Sequence, residues 1–360
     1  MRVLIIGGSR FIGAWLTRRL AQAGHAVTLF NRGQTQPPFA LDAARLTGDL
    51  SAIDDHAAAL RALDPDVVVH MMLTGAQSAW DLARLFAGTR ARAVAISSTD
   101  VYRSYDRLLG RDTGPSIRDA LHEDAPLRRK LYPYRQDTPE APEDADGWAL
   151  LRRQSDYDKI PAELMVREAF KARGTILRLP AVYGPGDFQH RLYGTVKRID
   201  DGRPVILMDE QMADWRWSLG YVGNVAEAIA LAIEQPGAAA GRTYNVGDSP
   251  VPTAAEWTRQ IGRQLGWGGR IVAVPRAVLP EGIRPEEDFS HPMVLDTTRI
   301  RRELGYTEVV SAADAIAATA AWERSSPPEQ WADPFDYDAE DAAVAAASAS
   351  STSGTRESSQ

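Results

Sequence analysis

A tyrosine and a lysine lie two residues apart in the stretch RRQSDYDKIPAELM, at Tyr157 and Lys159. A phenol has an unperturbed pKa near ~10 and is a poor base at neutral pH unless a neighbouring cation stabilises the phenolate. The two residue types together therefore suit proton transfer. On a regular α-helix, however, residues two apart project about 200° apart, so both could not face one reacting group.

Pro161 argues against a regular helix through this stretch, because proline lacks the N–H group and clashes one turn back. A helix that starts with Asp158 as its N-cap would place Pro161 in the first turn, where proline is tolerated. Tyr157 would then lie in the entry loop, free of helical spacing. This arrangement would permit a working Tyr157–Lys159 pair.

The elements that must position this pair alternate between short β-rich runs and helix-length segments. RVLIIGG precedes an amphipathic stretch, and HAVTLFNRG, PDVVVHMM and ARAVAISSTDVY follow it. The run Val67–Val69 lacks period-2 alternation, as expected for a strand buried on both faces of a parallel sheet. We predict an α/β fold, a Rossmann-type doubly wound parallel sheet with ligands at the carboxyl ends of its strands and a smaller C-terminal α+β substrate region.

The first strand runs into the turn GGSRFIG. Gly7 permits a sharp turn after the strand, and Gly13 lets the following helix pack close to it. The helix N-terminus then offers N–H groups and a positive dipole end to a pyrophosphate. Because the glycines follow a strand and precede an amphipathic helix, we predict a nucleotide-binding turn rather than a merely structural one. Arg10 stands where a G-x-x-G-x-x-G turn would have its middle glycine.

The second strand ends at LFNRG, where an NAD site would place an acid against the ribose hydroxyls. Asn31 and Arg32 stand there instead, and a guanidinium can grip a 2′-phosphate that a carboxylate would repel. Arg10 could converge on the same phosphate. We therefore predict NADP(H) in preference to NAD(H); the alternative is that both arginines are solvated surface residues. Asp49, in GDL, suits either the adenine amino group or a turn.

The composition sets broad limits on the class of protein. The chain has 360 residues, no cysteine and a net charge of −7. It therefore has neither disulfides nor thiolate metal sites, and its histidines lack metal-ligand spacing, so we predict no metal. The apolar runs fit neither a signal peptide nor a membrane span, and we expect a cytoplasmic protein. The acidic balance disfavours a nucleic-acid partner.

The motifs GGSRFIG, GDL, PDVVVHMM, AISSTDVY, LRLPAVYGPGD, GYVGNVAEAIALAI, YNVGD and LDTTRIRRELGY occur in that order between Met1 and about Tyr306. This ordered set resembles the extended short-chain dehydrogenase/reductase superfamily, of the NAD-dependent epimerase/dehydratase type. The arginine in GGSRFIG resembles the atypical branch that also contains the chloroplast stem-loop RNA-binding proteins. The resemblance implies that Ser98 orients the substrate, that a tyrosine exchanges a proton, and that a lysine lowers its pKa and holds the ribose.

The family pattern Y-x-x-x-K is not intact in this chain. If Tyr157 takes the tyrosine place, Pro161 occupies the lysine place. If Lys159 and Glu163 are instead matched to the family's K-L-x-x-E, Ser155 stands where the tyrosine belongs. The second register needs no gap before the helix, and we favour it. The alternatives to a working Tyr157–Lys159 pair are a site without turnover and chemistry run by another acid, such as Tyr102.

The segment LRLPAVYGPGDFQHRL resembles the family's passage along the nicotinamide into the substrate pocket, with His190 and Arg191 placed to reach an anion or to serve the structure. The arginine that grips a sugar-nucleotide diphosphate in the family is replaced by Trp217, with Arg216 one residue away and turned to the other face of a strand. Trp215 and Trp217 would line a more apolar pocket or pack. The residues expected to bind the cofactor are Gly7, Ser9, Arg10, Phe11, Ile12, Gly13, Asn31, Arg32, Asp49, Leu50, Met71, Met72, Lys159, Pro180 and Tyr183.

The expected organisation is an NADP-binding Rossmann domain over 1–183, with a long loop at 104–154, a mainly substrate-binding region over 184–325 and a disordered acidic, Ala- and Ser-rich tail over 326–360. The resemblance implies an NADP(H)-dependent oxidoreductase or epimerase that acts by hydride transfer on a hydroxyl or carbonyl carbon of a small polar or glycosylated metabolite. The alternatives are a catalytically degenerate NAD(P)-binding protein and, more remotely, an RNA-binding member. We also expect a small-molecule substrate, no membrane partner and a homodimer.

Overall fold

The computed structural model describes residues 1–114, 119–135 and 156–354. Its strands are β1 (Arg2–Ile6), β2 (Ala26–Asn31), β3 (Ala44–Thr47), β4 (Val67–His70), β5 (Arg92–Ser98), β6 (Gly174–Leu179), β7 (Ala181–Tyr183), β8 (Val205–Asp209), β9 (Leu219–Tyr221), β10 (Thr243–Asn245) and β11 (Arg270–Val274). Seven of them form one parallel sheet in the order β10-β6-β5-β4-β1-β2-β3. The predicted Rossmann-type α/β fold is confirmed.

Helices cover both faces of this sheet and make up most of the C-terminal region. They are α1 (Phe11–Gln22), α2 (Ala57–Ala62), α3 (Ala76–Phe86), α4 (Arg103–Leu108), α5 (Lys159–Phe170), α6 (Tyr193–Asp200), α7 (Glu210–Asp214), α8 (Val222–Glu234), α9 (Pro236–Ala239), α10 (Ala254–Gln264), α11 (Thr298–Leu304), α12 (Ala312–Ser325) and α13 (Tyr337–Gly354). In the described part of the chain, none of them is both long and apolar enough to cross a membrane.

The first strand shows why the sheet is buried on both sides. Val3 and Ile5 face a core cluster shared with α1 and α8, whereas Leu4 and Ile6 face a second cluster shared with α3 and α5. All four residues are at most 1% exposed. The strand order reverses between β1 and β4, and in such sheets ligands bind in the crevice at that reversal, beyond the carboxyl ends of the strands.

Helix α5 begins at the position expected from Pro161. Asp158 is its N-cap, and the Asp158 carboxylate accepts a hydrogen bond from Ile160 N at 3.0 Å. Pro161 thus lies in the first turn, and Tyr157 precedes the helix in the entry loop. The region predicted as a long loop starts with α4, and its residues 115–118 and 136–154 lie outside the described residues.

The tail does not conform to the prediction of disorder from 326 onward. Residues 337–354 form α13, and Glu340 in this helix is 2% exposed. Its carboxylate pairs with Arg198 of α6 at 2.5 Å, and Asp333 pairs with the same guanidinium at 2.7 Å. Alanine is the best helix former, and buried ion pairs together with the packing of Ala343, Val344 and Ala347 dock the helix with few large apolar side chains.

Candidate active site

The carboxyl ends of β1, β2 and β4 border a cavity of about 480 Å³, which we call the nucleotide cavity. Most of the residues predicted to bind the cofactor line it: Gly7, Ser9, Arg10, Phe11, Ile12, Gly13, Asn31, Arg32, Asp49, Leu50, Met71 and Met72. Phe188, which the sequence did not single out, lines it as well. The cavity lies where the strand order reverses, as expected for a doubly wound sheet.

The glycines of the turn are required by the backbone itself. Gly7 has a φ of +86°, a conformation that L side chains rarely adopt. A Cβ atom on Gly13 would lie 2.8 Å from Gly8 Cα and 2.9 Å from the Gly7 carbonyl oxygen. Since both of these neighbours are backbone atoms, a side chain at position 13 would displace the turn from the start of α1.

We therefore expect Gly13→Ala to raise the dissociation constant of a nicotinamide dinucleotide by about tenfold or more, because about 1.4 kcal/mol of lost contact corresponds to a factor of ten. Overpacking would also cost about 1–3 kcal/mol of stability. Fluorescence titration of the purified variant with NADPH and NADH measures the first effect. Gly88→Ala is the control, because nothing lies within 4 Å of a Cβ built there. Unchanged affinity in Gly13→Ala would contradict the assignment.

Polar groups at the end of β2 face the nucleotide cavity. Asn31 Oδ1 accepts a hydrogen bond from Gly33 N at 2.9 Å, whereas Asn31 Nδ2 is buried and lacks a partner among the described residues. Arg10 and Arg32 are exposed. Asp49 Oδ1 accepts hydrogen bonds from the backbone N and the hydroxyl of Ser51, which, with the charge of Arg32, lower the Asp49 pKa. Asp49 thus caps a turn while remaining at the rim of the cavity.

The second group of interest surrounds Tyr157, in the loop that enters α5. Its phenol donates a hydrogen bond of 2.5 Å to Asp100 Oδ2, and both side chains are buried. Burial, together with the charge of Asp100, raises the Tyr157 pKa well above its usual range. Burial raises the pKa of Asp100 as well, and Asp100 Oδ1 makes no hydrogen bond within the described ranges. The phenol is therefore protonated at neutral pH and is poised to donate.

Lys159 lies on the ring side of this phenol. Its Nζ atom is 5.7 Å from the centre of the Tyr157 ring and donates to the carbonyls of Leu73 at 2.6 Å and Ile96 at 3.1 Å. Burial lowers the Lys159 pKa to about 8, although Asp100 and Glu163 oppose the shift. The structure thus brings the predicted Tyr157–Lys159 pair together, two residues apart, because the helix begins between them.

A buried ion pair supports both side chains. Arg128 pairs with Asp158 at 2.8 Å, and neither side chain is exposed to solvent. Arg128 Nε also donates to the carbonyl of Asp100. Since Asp158 separates Tyr157 from Lys159 and caps α5, this one pair fixes the entry loop, the helix start and the turn that carries Asp100.

The remaining predicted residues have structural partners. Ser98, half-buried at the end of β5, accepts a hydrogen bond from Asp100 N at 3.3 Å. Tyr102 donates to Asn245 Oδ1 at 2.6 Å and accepts from Arg178 at 3.0 Å, so its hydroxyl belongs to a buried network. Ser155, the other candidate for the tyrosine place, lies outside the described residues.

Comparison with known proteins assigns the chain to a family. The sequence model of the NAD dependent epimerase/dehydratase family matches residues 3–103 and 130–247. The chain belongs to this family. A 3-diazoavenalumate denitrifying reductase from a Streptomyces species is 28% identical over 296 residues, which cover 79% of this chain and 86% of the relative. UDP-glucuronic acid 4-epimerase from Bacillus cereus, solved with UDP-glucuronic acid and NAD, matches with a TM-score of 0.63 at 16% identity and covers 90% of this chain and 99% of that one.

The family member described here is therefore an enzyme of the extended short-chain dehydrogenase/reductase type. The match to the chloroplast branch is short: the chloroplast stem-loop binding protein of 41 kDa b from Arabidopsis thaliana is 56% identical over 34 residues, 9% of this chain. A match of this length supports a shared motif and carries no argument about RNA.

Three of the residues expected to bind the cofactor lie outside the lining of the nucleotide cavity. Lys159 bonds to strand-end carbonyls and does not line the nucleotide cavity. Pro180 packs against Gly220. Tyr183 packs against Tyr221 and lines a separate cavity of about 330 Å³, because β7 leaves the large sheet and pairs with β9.

The residues expected near a substrate anion are also engaged within the protein. His190 contacts Glu323, and Arg191 pairs with Asp187 at 2.7 Å. Arg216 is exposed and donates to the carbonyl of Val251. Trp215 and Trp217 lie with ring centroids 5.3 Å apart and planes tilted by 34°, beside Phe289 in an aromatic cluster.

Proposed function

We propose that this chain is an NADP(H)-dependent reductase that transfers a hydride to a carbonyl carbon of a small metabolite, or removes one from the corresponding alcohol. The observation that carries the proposal is that the nucleotide cavity adjoins the group around Tyr157 and Lys159. Met72 lines the nucleotide cavity, and the next residue, Leu73, accepts a hydrogen bond from Lys159. A dinucleotide that enters along the glycine turn would therefore extend toward Tyr157 and Asp100.

The residues of the nucleotide cavity fit a phosphorylated dinucleotide. Gly13 lets backbone lie where a side chain would collide, so that the start of α1 can approach a pyrophosphate. Arg10 and Arg32 supply two cations at the end where the adenosine ribose would lie, and Asn31 Nδ2 adds a buried donor without a partner among the described residues. Guanidinium groups grip a phosphate bidentately, which supports NADP(H).

The bound nicotinamide supplies or accepts the hydride; the chain supplies the proton. Tyr157 holds its proton at neutral pH and can donate it to the oxygen of a carbonyl as negative charge develops there. Asp100 accepts the hydrogen bond of that phenol and so orients its hydroxyl, and the phenolate left after the transfer regains a proton from solvent. Lys159 contributes a positive charge on the ring side of the phenol. A raised phenol pKa favours the direction of reduction.

The substrate side supports a molecule that does not depend on a diphosphate. Trp217 occupies the place of the family's gripping arginine, and Arg216 is held by a backbone carbonyl. The UDP-glucuronic acid 4-epimerase that shares this fold was solved with a nucleotide sugar, whereas this chain lacks the arginine that would grip a diphosphate. We therefore expect small carbonyl compounds to be better substrates than nucleotide sugars.

Replacing Arg32 by alanine is expected to raise the dissociation constant of NADPH by about tenfold, because a charge-assisted contact contributes on the order of 1.5–3 kcal/mol. The dissociation constant of NADH should change by less than about twofold. Titration of both nucleotides by cofactor fluorescence checks this. Arg90→Ala is the control, since Arg90 pairs with Asp64 at 2.8 Å, away from the nucleotide cavity. Equal affinities for NADPH and NADH in wild type and variant would exclude a 2′-phosphate site.

A cofactor-binding protein without turnover is the second candidate, and one observation favours it: the pKa of Tyr157 is raised, whereas the family's chemistry needs a phenolate in the direction of oxidation. NADPH oxidation in the presence of a panel of aldehydes and ketones separates the two candidates. Turnover supports the reductase. Tight NADPH binding without oxidation by any member of the panel would support the second candidate.

A further inference from the structure

We propose that His190 and Glu323 position the nucleotide cavity from the C-terminal helices, and that they act through Phe188. Neither residue lines that cavity, so this is a positioning role and not a catalytic one. The inference rests on the proposed cofactor function and extends it to α12, whose residues the family resemblance did not involve. The connecting element is the stretch 184–190, which we call the cofactor loop.

The cofactor loop joins β7 to α6 and lies against the glycine turn. Phe188 lines the nucleotide cavity. A Cβ atom on Gly186 would lie 3.5 Å from the ring of Phe11, and Trp15 Nε1 donates to the carbonyl of Pro185 at 3.4 Å. A displacement of this loop would therefore move one wall of the cavity.

Asp187 holds the front of the loop. Its side chain is 1% exposed, and Oδ1 accepts hydrogen bonds from Gln189 N at 3.1 Å and from the Arg191 guanidinium at 2.7 Å. These contacts, and the hydrogen bond from His190 N to the Asp187 carbonyl at 2.9 Å, fix the front of the loop, and its other end, at His190, has a second anchor.

His190 holds that other end. Its φ is +48°, a left-handed conformation that is uncommon for residues other than glycine and persists where surroundings enforce it. The surroundings come from α12: His190 Nδ1 lies 2.6 Å from Glu323 Oε2, and the imidazole stacks on Trp322 with centroids 4.8 Å apart and planes 16° apart.

The Glu323 carboxylate interacts with the imidazole of His190 and with the backbone N–H of Leu192, both at this end of the loop. Its side chain is wholly buried, and Oε1 makes no hydrogen bond in the part of the chain that the structure describes. A buried carboxylate depends strongly on its few hydrogen-bond partners, because losing the imidazole would leave the group desolvated and largely unpaired. The contact is therefore a strong restraint on His190, and through the backbone on Phe188.

The test is a double-mutant cycle in the full chain, with the dissociation constants of NADPH and NADH as readout. The variants are His190→Asn, Phe188→Ala and the double variant. Asparagine is chosen because it tolerates positive φ while it removes the ring. We expect His190→Asn to weaken NADPH binding by about 3- to 10-fold and the double variant to bind no more weakly than Phe188→Ala alone. If His190 had a merely structural role, the effects of the two substitutions on the dissociation constant of NADPH would multiply instead.

Arg324→Ala is the matched control on the same helix. Arg324 neighbours Glu323 and pairs with Asp200 at 2.6 Å on the exposed side of α12. Its loss should leave the NADPH affinity unchanged. Should His190→Asn fail to fold, Glu323→Gln carries the same cycle with Phe188→Ala, since it conserves the shape of the side chain.

Multiplied effects, or unchanged NADPH affinity in a folded His190→Asn, would overturn the inference and leave the proposed function standing. A wild-type chain that binds neither NADPH nor NADH would overturn the proposed function, and this inference with it. The two failures are therefore distinguished by the wild-type titration.

Discussion

Tyr157→Phe is expected to lower kcat for NADPH-dependent carbonyl reduction by about 10²–10⁴-fold, the usual contribution of a positioned proton donor. The variant removes one oxygen atom and leaves a ring that still packs against Tyr134 at 5.6 Å. The dissociation constant of NADPH should stay within about twofold of wild type, because the phenol does not line the nucleotide cavity. Steady-state kinetics and a cofactor titration on the same preparation measure both quantities.

The neighbouring phenol provides the control for this prediction. Tyr134 is 7% exposed and lies beside Tyr157, so Tyr134→Phe makes the same chemical change in the same surroundings. We expect it to retain most of the activity. Asp100→Asn should share the defect of Tyr157→Phe, since Asp100 accepts the phenol's hydrogen bond. Full turnover by Tyr157→Phe would remove Tyr157 as the proton carrier and direct attention to Asp100 itself.

The sheet and the nucleotide cavity were predictable because their signals are local. The uninterrupted apolar run of β4 indicates a strand with two buried faces, and GGSRFIG combines a strand end, a turn and a helix start within seven residues. The helix start at Asp158 was also predictable, since proline restricts helices over one turn. Each of these inferences needed only residues that are neighbours in sequence.

The partner of Tyr157 could not be obtained in this way. Asp100 is visible in SSTDVY as an acid at a strand end, but its contact with Tyr157 joins residues 57 positions apart. The pair of Arg128 and Asp158, which holds both sides of the site, spans 30 positions. The sequence therefore indicated that a lysine and a tyrosine could meet, but it contained no sign that burial of the phenol, beside a carboxylate, would raise its pKa.

The C-terminal tail was also beyond what local sequence signals could predict. The segment that forms α13 has the composition of a disordered stretch, yet Glu340 and Asp333 enclose Arg198 in a buried cluster. The apolar side of the helix that packs on the protein is narrow and made mainly of alanine, with Ala343, Val344 and Ala347 against Leu207, Val274 and Leu279, so its hydrophobic signal is weak. Stabilisation that depends on a partner about 140 positions away becomes visible when the fold brings the two segments together.

Lys159→Met is expected to reduce kcat by a factor similar to that of Tyr157→Phe, because it removes the cation beside the phenol, and it should also change the response to pH. Burial lowers the Lys159 pKa to about 8, so the ammonium is present below that pH and is lost above it. Wild-type kcat should therefore fall as the pH rises through about 8. In Lys159→Arg this fall should move to higher pH, since arginine stays protonated.

The free energy of unfolding should rise over the same pH range in which kcat falls, because of the same lysine. The native chain loses the Lys159 proton near pH 8, whereas the unfolded chain keeps it up to 10.5. Between these values the unfolded state binds more protons, so the unfolding free energy gains a contribution that rises with pH, by about 3 kcal/mol in total. Lys159→Met lacks this contribution. Denaturant unfolding of both chains from pH 7 to 10.5 measures the difference, and a wild-type curve parallel to that of Lys159→Met would contradict a buried, charged lysine at this site.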